Sequence, residues 1–466
     1  MSQNKKELLP ITPAQEMINF MLKYSFFHKQ VIQIPASVIF TKKVDFDLMK
    51  KALNIEIQRN DCMRLRFVKK GGKYYQYFLD EYTLEDVPVV TFKTKEEQEA
   101  YLNADGGKTI HHMKGEIYRF VFFNTWDGRQ GVYINVCHLV MDAAAVFNFY
   151  ADLFKVYDAL ESGSEMPAPI GSFRKTVDKE LAYINNAEKV NADKQFYTDF
   201  FKEGGAPIFN GAHGPELLEK QRIKKKNPKL RVLASFDPIH DKALLTKRPV
   251  GEEDSKLILK YLDESGVSPE CLVQIAMRMF IAKLNESVND GIFDTYFITL
   301  CTRRKTLNEK TSGGSLTSTL PWRIIIDKDL TFREGIDKLQ ELQRTIFRHQ
   351  DYPFIDWRDV EGKIYNYGMA DGASTMMFSW FPLEKDTMNG WDYEFTGYSI
   401  GRYVMPLYSY AMKDASNGLI KFAFLHRTNL ISVENIDALA EGTLKALRLG
   451  CANPDVKLGD IMNQLG

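Results

Sequence analysis

The sequence predicts a mixed α/β protein of the α+β type, organised as two lobes. Helix and strand patterns alternate through the first half, weaken between about residues 161 and 230, and recur in similar order beyond that stretch. With 466 residues, of which 44% are hydrophobic and 12% aromatic, the chain has enough apolar material for two or three domain-sized cores. We therefore expect an N-terminal lobe over residues 1–175, a connecting helix and linker over 176–230, and a C-terminal lobe over 231–466.

The N-terminal lobe opens on a well-marked helix. Thr12 is a typical N-cap, Pro13 suits the first helical position, and Gln15 or Glu16 completes a capping box. The patterns that follow predict a helix over 46–58, strands over 63–68 and 74–78 around a Gly-Gly turn, a hairpin with strands over 116–124 and 131–137, and a helix over 146–160.

The stretch that links the lobes is punctuated by Gly and Pro residues and contains one predicted helical stretch, over 175–201. Beyond it, the patterns predict helices over 254–265 and 269–284 and strands over 295–301, 374–380 and 419–424. The second half therefore resembles the first in element type, without a residue-level repeat.

Composition and charge exclude several classes of protein. The 61 basic and 61 acidic residues balance, so no net field favours nucleic acid. The N-terminus lacks the apolar core of a signal peptide, and no stretch approaches the roughly 18 apolar residues of a membrane span, so we expect a cytoplasmic protein. The five cysteines are scattered and no metal, nucleotide or flavin motif occurs, so we predict neither a disulfide framework nor a metal site.

One histidine stands out as a candidate catalytic residue. The alternation of residues 131–138 places His138 at the end of a strand, and Asp142 follows four positions later, ahead of the small run Ala143 to Ala145. Small residues leave room for a substrate beside the imidazole, and an acid at a helix start can cap backbone N–H groups. Taken alone, the same pattern also fits a histidine that fills a structural hydrogen-bonding niche.

The adjacent pair His111 and His112 is a second candidate, with Glu116 nearby. The pair lies in a polar, Gly-containing segment ahead of a strand, which we interpret as surface. Further Cys, His or carboxylate residues at metal-ligand spacing are lacking, so this segment does not predict a metal site.

Five segments, taken in order, resemble motifs of the condensation domains of nonribosomal peptide synthetases. That superfamily also includes chloramphenicol acetyltransferase and many alcohol acyltransferases. The segments are Thr12 to Gln15, which resembles the opening helix motif; Arg59 to Phe67, which resembles Arg-His-Glu-x-Leu-Arg-Thr-x-Phe; Cys137 to Asp142, which resembles His-His-x-x-x-Asp-Gly; Arg304 with residues 314–319, which resembles Arg…Gly-x-Phe-Val-Asn-Thr; and His349 to Phe354, which matches His-Gln-Asp-Tyr-Pro-Phe residue for residue. Each segment is a weak signal, whereas five in register are specific.

The resemblance covers nearly the whole chain and implies its fold. This fold has two chloramphenicol acetyltransferase-like lobes, each a mixed β-sheet with helices, forming a V-shaped pseudo-dimer with a central cleft. It places His138 at the centre of the cleft as the general base, while Asp142 pairs with Arg304 and supports the site structurally. The candidate oxyanion or cleft contacts are Ala143, Ser318 and Ser379.

Three positions depart from the family pattern. Cys137 stands where the first histidine is expected, Ala143 replaces a glycine, and Ser318 replaces an asparagine. A buried thiol can pack in the place of a structural histidine, and the Ala143 N–H can still help to hold an oxyanion. We therefore expect a divergent member of the family.

The resemblance implies a standalone acyltransferase that moves an acyl group from a coenzyme A or carrier-protein thioester to a hydroxyl or amine of a small molecule. Two alternatives stay open: an amide-forming condensation enzyme that acts in trans on carrier-bound substrates, and a catalytically silent homologue that binds carriers. No permanently bound cofactor is implied, because the donor thioester brings its own coenzyme A or phosphopantetheine arm. Since the last family-like element lies close to Gly466 we expect no further domain, and since one chain holds both lobes we expect a monomer.

Overall fold

Helices and strands alternate along the chain, as the hydrophobic patterns predict. The structure is a computed structural model that describes residues 7–25, 27–234, 239–289, 291–381, 387–414 and 417–465. Its helices are α1 (Pro13–Lys23), α2 (Phe46–Arg59), α3 (Lys95–Gly106), α4 (Ala143–Ser162), α5 (Phe173–Ile184), α6 (Ala187–Lys202), α7 (Glu216–Lys224), α8 (Glu252–Ser265), α9 (Pro269–Leu284), α10 (Leu307–Thr311), α11 (Phe332–Phe347), α12 (Phe354–Tyr365), α13 (Val433–Ala452) and α14 (Leu458–Asn463). Its strands are β1 (Leu9–Pro10), β2 (Gln33–Phe40), β3 (Leu65–Lys70), β4 (Lys73–Phe78), β5 (Val89–Thr91), β6 (Tyr118–Asn124), β7 (Gln130–Cys137), β8 (Leu233–Ala234), β9 (Ala243–Pro249), β10 (Phe293–Thr302), β11 (Thr317–Ile326), β12 (Asp371–Gly372), β13 (Met376–Phe381), β14 (Thr387–Met388), β15 (Trp391–Gly397), β16 (Leu407–Lys413) and β17 (Ile420–Arg427).

The chain divides into two compact units, and each unit is discontinuous in sequence. The first unit comprises Met1–Val190, Thr302–Ser318 and Glu384–Gly401, and the second comprises Asn191–Cys301, Thr319–Leu383 and Arg402–Gly466. Two segments from the second half of the sequence therefore belong to the first unit. The lobe boundaries at 175 and 230 stay a prediction.

The first unit is built on a six-stranded sheet in the order β14-β15-β2-β7-β6-β5. Neighbouring strands are antiparallel except β5 and β6, which are parallel. The predicted hairpin is confirmed, with Asn124 opposite Gln130 where β6 turns into β7. Because β7 has a strand on each side and packed helices on its faces, all of its residues are buried.

The second unit is built on another six-stranded mixed sheet, in the order β11-β10-β13-β16-β17-β9. Strands β10, β13 and β16 are parallel to one another, and β17 is antiparallel to both β16 and β9. Helix α9 is buried at every position from Cys271 to Ala282, and its apolar residues belong to the core of this unit. Two units with a mixed sheet and helices each confirm the predicted α/β fold class.

Helix α1 confirms the predicted capping box. The Thr12 hydroxyl accepts a hydrogen bond from the Gln15 N–H (3.3 Å), and the Gln15 side chain accepts one from the Thr12 N–H (2.8 Å). This reciprocal pair satisfies two of the N–H groups that a helix start leaves without partners.

The linking stretch corrects one prediction. Instead of a single helix over 175–201, the structure has α5 and α6, separated at Asn185 and Asn186. The Asn186 side chain accepts a hydrogen bond from the Lys189 N–H (3.1 Å), and asparagine is favoured at helix starts because it competes for backbone N–H groups in this way. Within the described residues, no helix is long and apolar enough to cross a membrane.

Candidate active site

The candidate site lies where the central strand β7 ends. His138 directly follows β7, and its backbone N–H donates to the carbonyl of Ile32 (2.7 Å). The residues on either side, 130–137 and 139–142, are buried, whereas His138 is partly exposed. The imidazole is therefore the first side chain of this stretch that a substrate can reach.

Burial lowers the pKa of the His138 imidazole, and the backbone carbonyls of His138 and Met141 and the Asp142 carboxylate oppose this shift without cancelling it. The ring is thus mostly neutral at pH 7. Its Nδ1 is buried and makes no regular hydrogen bond within the described part of the chain. A neutral imidazole of this kind can accept a proton.

Asp142 is the N-cap of α4, and its hydrogen bonds are not those of a catalytic-triad carboxylate. Its Oδ1 accepts from the Ala145 N–H (2.8 Å) and from Arg304 Nη2 (3.0 Å), and its Oδ2 accepts from the Leu316 N–H (2.7 Å). Burial alone would raise the pKa of this carboxyl, but the Arg304 guanidinium and the two backbone donors hold the pKa below its usual range. The carboxylate is therefore charged and fully engaged on the side of Arg304.

Arg304 ties Asp142 to a loop between β10 and β11. Its guanidinium donates to the carbonyls of Ser312 (2.8 Å), Gly314 (2.8 Å) and Glu309 (2.6 Å) as well as to Asp142. Both side chains of the ion pair are nearly inaccessible, at 4% exposure for Arg304 and 2% for Asp142. The contact expected from the resemblance is present, although the role of these two residues in the reaction stays a prediction.

Gly314 fits this loop against the histidine turn. It forms an isolated parallel bridge with Met141, and its carbonyl accepts from the Asp142 N–H (3.4 Å). Its φ of +87° favours glycine, and a Cβ atom at this position would overlap the ring of Phe173. The loop, the turn and α5 are therefore packed without spare room.

The start of α4 presents backbone donors. Asp142 already binds the N–H of Ala145 through its side chain and that of Val146 (3.0 Å) through its carbonyl. The N–H groups of Ala143 and Ala144 have no acceptor among the described residues, as expected for the first turn of a helix. Donors at a helix N-terminus suit a negatively charged oxygen.

The structure shows the environment of two residues that depart from the family pattern, Cys137 and Ser318. Cys137 is buried, and burial raises the pKa of its thiol to about 12, so the thiol is protonated at neutral pH and packs as a small apolar group. Ser318 is buried at the start of β11 in the first unit. Its contact with a substrate stays a prediction.

Ser379 and His349 lie in the second unit. Ser379 is buried on β13, and its hydroxyl shares a hydrogen bond with the Tyr408 hydroxyl (2.7 Å). His349 stacks on Phe196 with ring centroids 3.8 Å apart, and its Nδ1 lies 2.6 Å from the Asp193 carboxylate. These contacts give His349 a packing role within the second unit.

The segment at His111 and His112 corrects another prediction. His111 is exposed, but His112 is buried with its ring edge toward Phe67, and burial lowers the pKa of its imidazole to about 4. The neighbouring polar residues conceal this apolar contact in the sequence. No group of three or more potential metal ligands occurs in the part of the chain that the structure describes.

Several residues that shape the site carry no chemical signal in the sequence. Leu316 contributes a backbone N–H to Asp142, and Phe173 packs on Gly314. Gln15 donates to the Leu139 carbonyl (2.9 Å), one residue beyond His138. The sign of this close packing in the sequence is Gly314, because a glycine beside a strand often marks a close approach of another part of the chain.

Fold and site together define a condensation-type protein: two units with mixed sheets, a histidine after the central strand, and an aspartate four residues later that pairs with arginine. The family model described as Condensation domain matches residues 5–363. This chain belongs to the condensation domain family, whose members catalyse amide or ester bond formation.

Among curated proteins, the chain is similar to large peptide synthases. Surfactin synthase subunit 1 from Bacillus subtilis (strain 168) is 24% identical over 471 residues, covering 97% of this chain and 12% of that protein. Gramicidin S synthase 2 from Brevibacillus brevis is 23% identical over 371 residues, covering 76% of this chain and 8% of that protein. The chain thus spans a small part of the length of these relatives.

Solved structures share the fold. The first condensation domain of the calcium-dependent antibiotic synthetase, in complex with substrate analogue 3a, superimposes with a TM-score of 0.80 at 16% identity, covering 98% of this chain and 99% of that one. The starter condensation domain of rhizomide synthetase, in complex with C8-CoA and Leu-SNAC, has a TM-score of 0.78 at 13% identity, covering 97% and 96%.

Proposed function

We propose that this protein transfers an acyl group from a coenzyme A or carrier-protein thioester to a hydroxyl or amine acceptor, with His138 as the general base. The observation that carries the proposal is the partly exposed, mostly neutral imidazole at the end of a buried central strand. A neutral imidazole that a substrate can reach is able to accept the proton of an attacking hydroxyl or amine.

In this proposal His138 acts without a carboxylate partner. Asp142 offers both carboxylate oxygens to Arg304, Leu316 and Ala145, so its task is to fix the turn rather than to polarise the ring. The Asp142 charge offsets only part of the burial effect, so the pKa of the imidazole still lies below its usual value. A triad would instead require the base to be oriented by a third group.

The proposed reaction has two stages. The acceptor oxygen or nitrogen attacks the thioester carbonyl carbon while its proton passes to His138 Nε2, which gives a tetrahedral intermediate with an oxyanion. The intermediate collapses by breaking the C–S bond, and the imidazolium returns the proton to the departing sulfur. An ester or amide and a free thiol leave, and the histidine is neutral again.

We further propose that the N–H groups of Ala143 and Ala144 stabilise the oxyanion. They have no acceptor in the described part of the chain, and they point along the dipole of a 20-residue helix. The methyl group of Ala143, where the family has glycine, narrows the space beside the base. Ser318 and Ser379 stay proposed cleft contacts.

The proposed donor is a pantetheine thioester, and no resident cofactor is required. Support comes from relatives named as surfactin and gramicidin S synthases and from a structural neighbour described in complex with C8-CoA. A carrier protein and a small-molecule acceptor are the corresponding proposed partners. Whether an ester or an amide forms then depends on whether the acceptor is an alcohol or an amine.

The test is a substrate panel. The wild-type protein is incubated with acyl-coenzyme A and acyl-pantetheine carrier donors, with and without pooled amines and alcohols, while thiol release and product masses are recorded. Acceptor-dependent thiol release with a new ester or amide mass supports acyl transfer. Absence of any acceptor-dependent product across coenzyme A and carrier donors would favour the carrier-binding alternative instead.

A further inference from the structure

We propose that Gln15 is a positioning residue for His138, acting through the backbone of the histidine turn. This inference rests on the proposed function, because it assigns Gln15 to the same site. Gln15 lies on the first turn of α1 and is completely buried, although its side chain ends in a polar amide. A buried amide must find partners for its donors and its acceptor.

Gln15 makes three side-chain hydrogen bonds. Its Oε1 accepts from the Thr12 N–H (2.8 Å), and its Nε2 donates to the Leu139 carbonyl (2.9 Å) and to Gln76 Oε1 (2.8 Å). Leu139 is the residue after His138, so the amide holds the peptide that leaves the histidine. One side chain thus joins the start of α1, strand β4 and the histidine turn.

The orientation of this amide is fixed by its partners. The Thr12 N–H can only donate and the Leu139 carbonyl can only accept, so the oxygen and nitrogen of Gln15 cannot be exchanged. Gln76 is equally constrained, because its Nε2 donates to the Pro10 carbonyl (3.0 Å) and its oxygen must then face Gln15. The network has one consistent arrangement.

The capping box does not by itself require glutamine. Glutamate closes a capping box as well as glutamine does, and its charge suits a helix N-terminus better. A carboxylate, however, has no donor for the Leu139 carbonyl or for Gln76 Oε1. The glutamine at this position is therefore explained by its two acceptors, the Leu139 carbonyl and Gln76 Oε1, rather than by the helix.

Two substitutions at the start of α1 form a matched pair. Gln15→Glu keeps the size of the side chain and the acceptor for Thr12 but faces the Leu139 carbonyl with another acceptor. Thr12→Ala removes the hydroxyl cap of α1 and leaves the Gln15–Leu139 bond in place. Both perturb the same helix end, and one of them also perturbs the turn.

The first measurement is steady-state kinetics with a substrate that the wild type uses. Gln15→Glu is expected to lower kcat about 10- to 100-fold with KM changed less than about threefold, because a small misplacement of a catalytic group has that effect on rate. Thr12→Ala is expected to keep kcat within about twofold. Equal kcat for Gln15→Glu and wild type would overturn the inference, as would an equal loss in Thr12→Ala.

The second measurement needs no substrate. In protein with isotopically labelled histidine, the His138 ring signals are assigned by their absence in His138→Ala, and are then compared between variants. Gln15→Glu is expected to shift these signals and the pKa of His138, whereas Thr12→Ala leaves both as in the wild type. Unchanged His138 signals in folded Gln15→Glu would refute positioning by Gln15.

The two readouts separate the two proposals. If His138→Ala is as active as the wild type, the proposed base is wrong, and the ring signals still decide whether Gln15 fixes the turn. If Gln15→Glu does not fold, Gln15→Met takes its place, because it keeps a side chain of similar length without a donor for the Leu139 carbonyl, and it is expected to lower kcat by the same factor of about 10- to 100-fold. A folded Gln15→Met variant with the kcat and the His138 ring signals of the wild type would contradict the assignment to Leu139.

Discussion

Removing the Asp142 carboxylate should destabilise the first unit far more than removing an exposed charge in the same unit. In Asp142→Ala, the Arg304 guanidinium stays buried at 4% exposure without its counter-charge, and the N–H groups of Leu316 and Ala145 lose their acceptor. Removing one member of a buried ion pair, so that the other charge stays buried without its partner, lowers the free energy of unfolding by about 3–5 kcal/mol. We expect a loss in that range.

A double-mutant cycle isolates the pair. Arg304→Met leaves the buried Asp142 carboxylate with only its two backbone donors, and it also leaves the carbonyls of Ser312 and Gly314 without the guanidinium. The double variant removes both charges and should cost less than the sum of the single variants, with a coupling of about 2–3 kcal/mol. A coupling near zero would mean that the pair does not act as a unit.

The assay is urea-induced unfolding, with the midpoint and slope measured for each variant. Arg129→Met is the control, because Arg129 pairs with Glu394 at 32% and 37% exposure and such pairs contribute about 1 kcal/mol or less. An Asp142→Ala cost no larger than that of this control would refute the reasoning. Because the folded pKa of Asp142 is lowered, the stability it supplies should be present above the usual aspartate range and be lost as pH falls through it toward the folded pKa.

Three further predictions concern backbone, charge and rate. Gly314→Ala should lower the free energy of unfolding in urea by at least about 2 kcal/mol more than Gly128→Ala does. Both glycines have a positive φ, but only a methyl group at position 314 would meet a side chain, that of Phe173. Similar losses in the two variants would contradict the packing argument. Burial raises the pKa of Glu270 to about 7, so the stability that this group supplies is complete below the usual glutamate range and is lost as pH rises through 7. The free energy of unfolding should therefore differ between pH 5 and pH 8 by on the order of 2 kcal/mol, and Glu270→Gln should remove this difference. A pH dependence that is unchanged in Glu270→Gln would refute the shift. Because burial lowers the pKa of His138, kcat/KM should fall only at pH values below the range in which an ordinary histidine titrates, and a fall that begins above that range would contradict a neutral ring.

Elements with local signals could be predicted from the sequence. The capping box at Thr12 and Gln15, the alternation across residues 118–137 and the apolar run of α9 each depend on neighbours within one turn or one hairpin. The break at Asn185 and Asn186 is not predicted by the apolar pattern, because that pattern continues across it and only the asparagines mark the boundary.

Contacts between distant residues could not be predicted in this way. Asp142 and Arg304 are 162 positions apart, and it is the family resemblance, not spacing, that implies their contact. The burial of His112 depends on Phe67, which its own polar segment does not reveal. The same holds for Gln15, whose bond to Leu139 spans 124 positions, while its local pattern suggested only a helix cap.

The assignment of segments to units has the same origin. Residues 302–318 and 387–401 follow strands of the second unit in the sequence, but they belong to the first unit. Hydrophobic periodicity reports which face of an element is buried, not which core buries it. A prediction of contiguous lobes follows naturally from such patterns.

The most direct test of the central claim is the rate of acceptor-dependent thiol release by His138→Ala, measured with the donor and acceptor that the wild type uses best. Loss of a general base is expected to reduce this rate by about 100-fold or more while the variant unfolds in urea like the wild type. A folded His138→Ala variant that releases thiol at the wild-type rate would show that His138 is not the base.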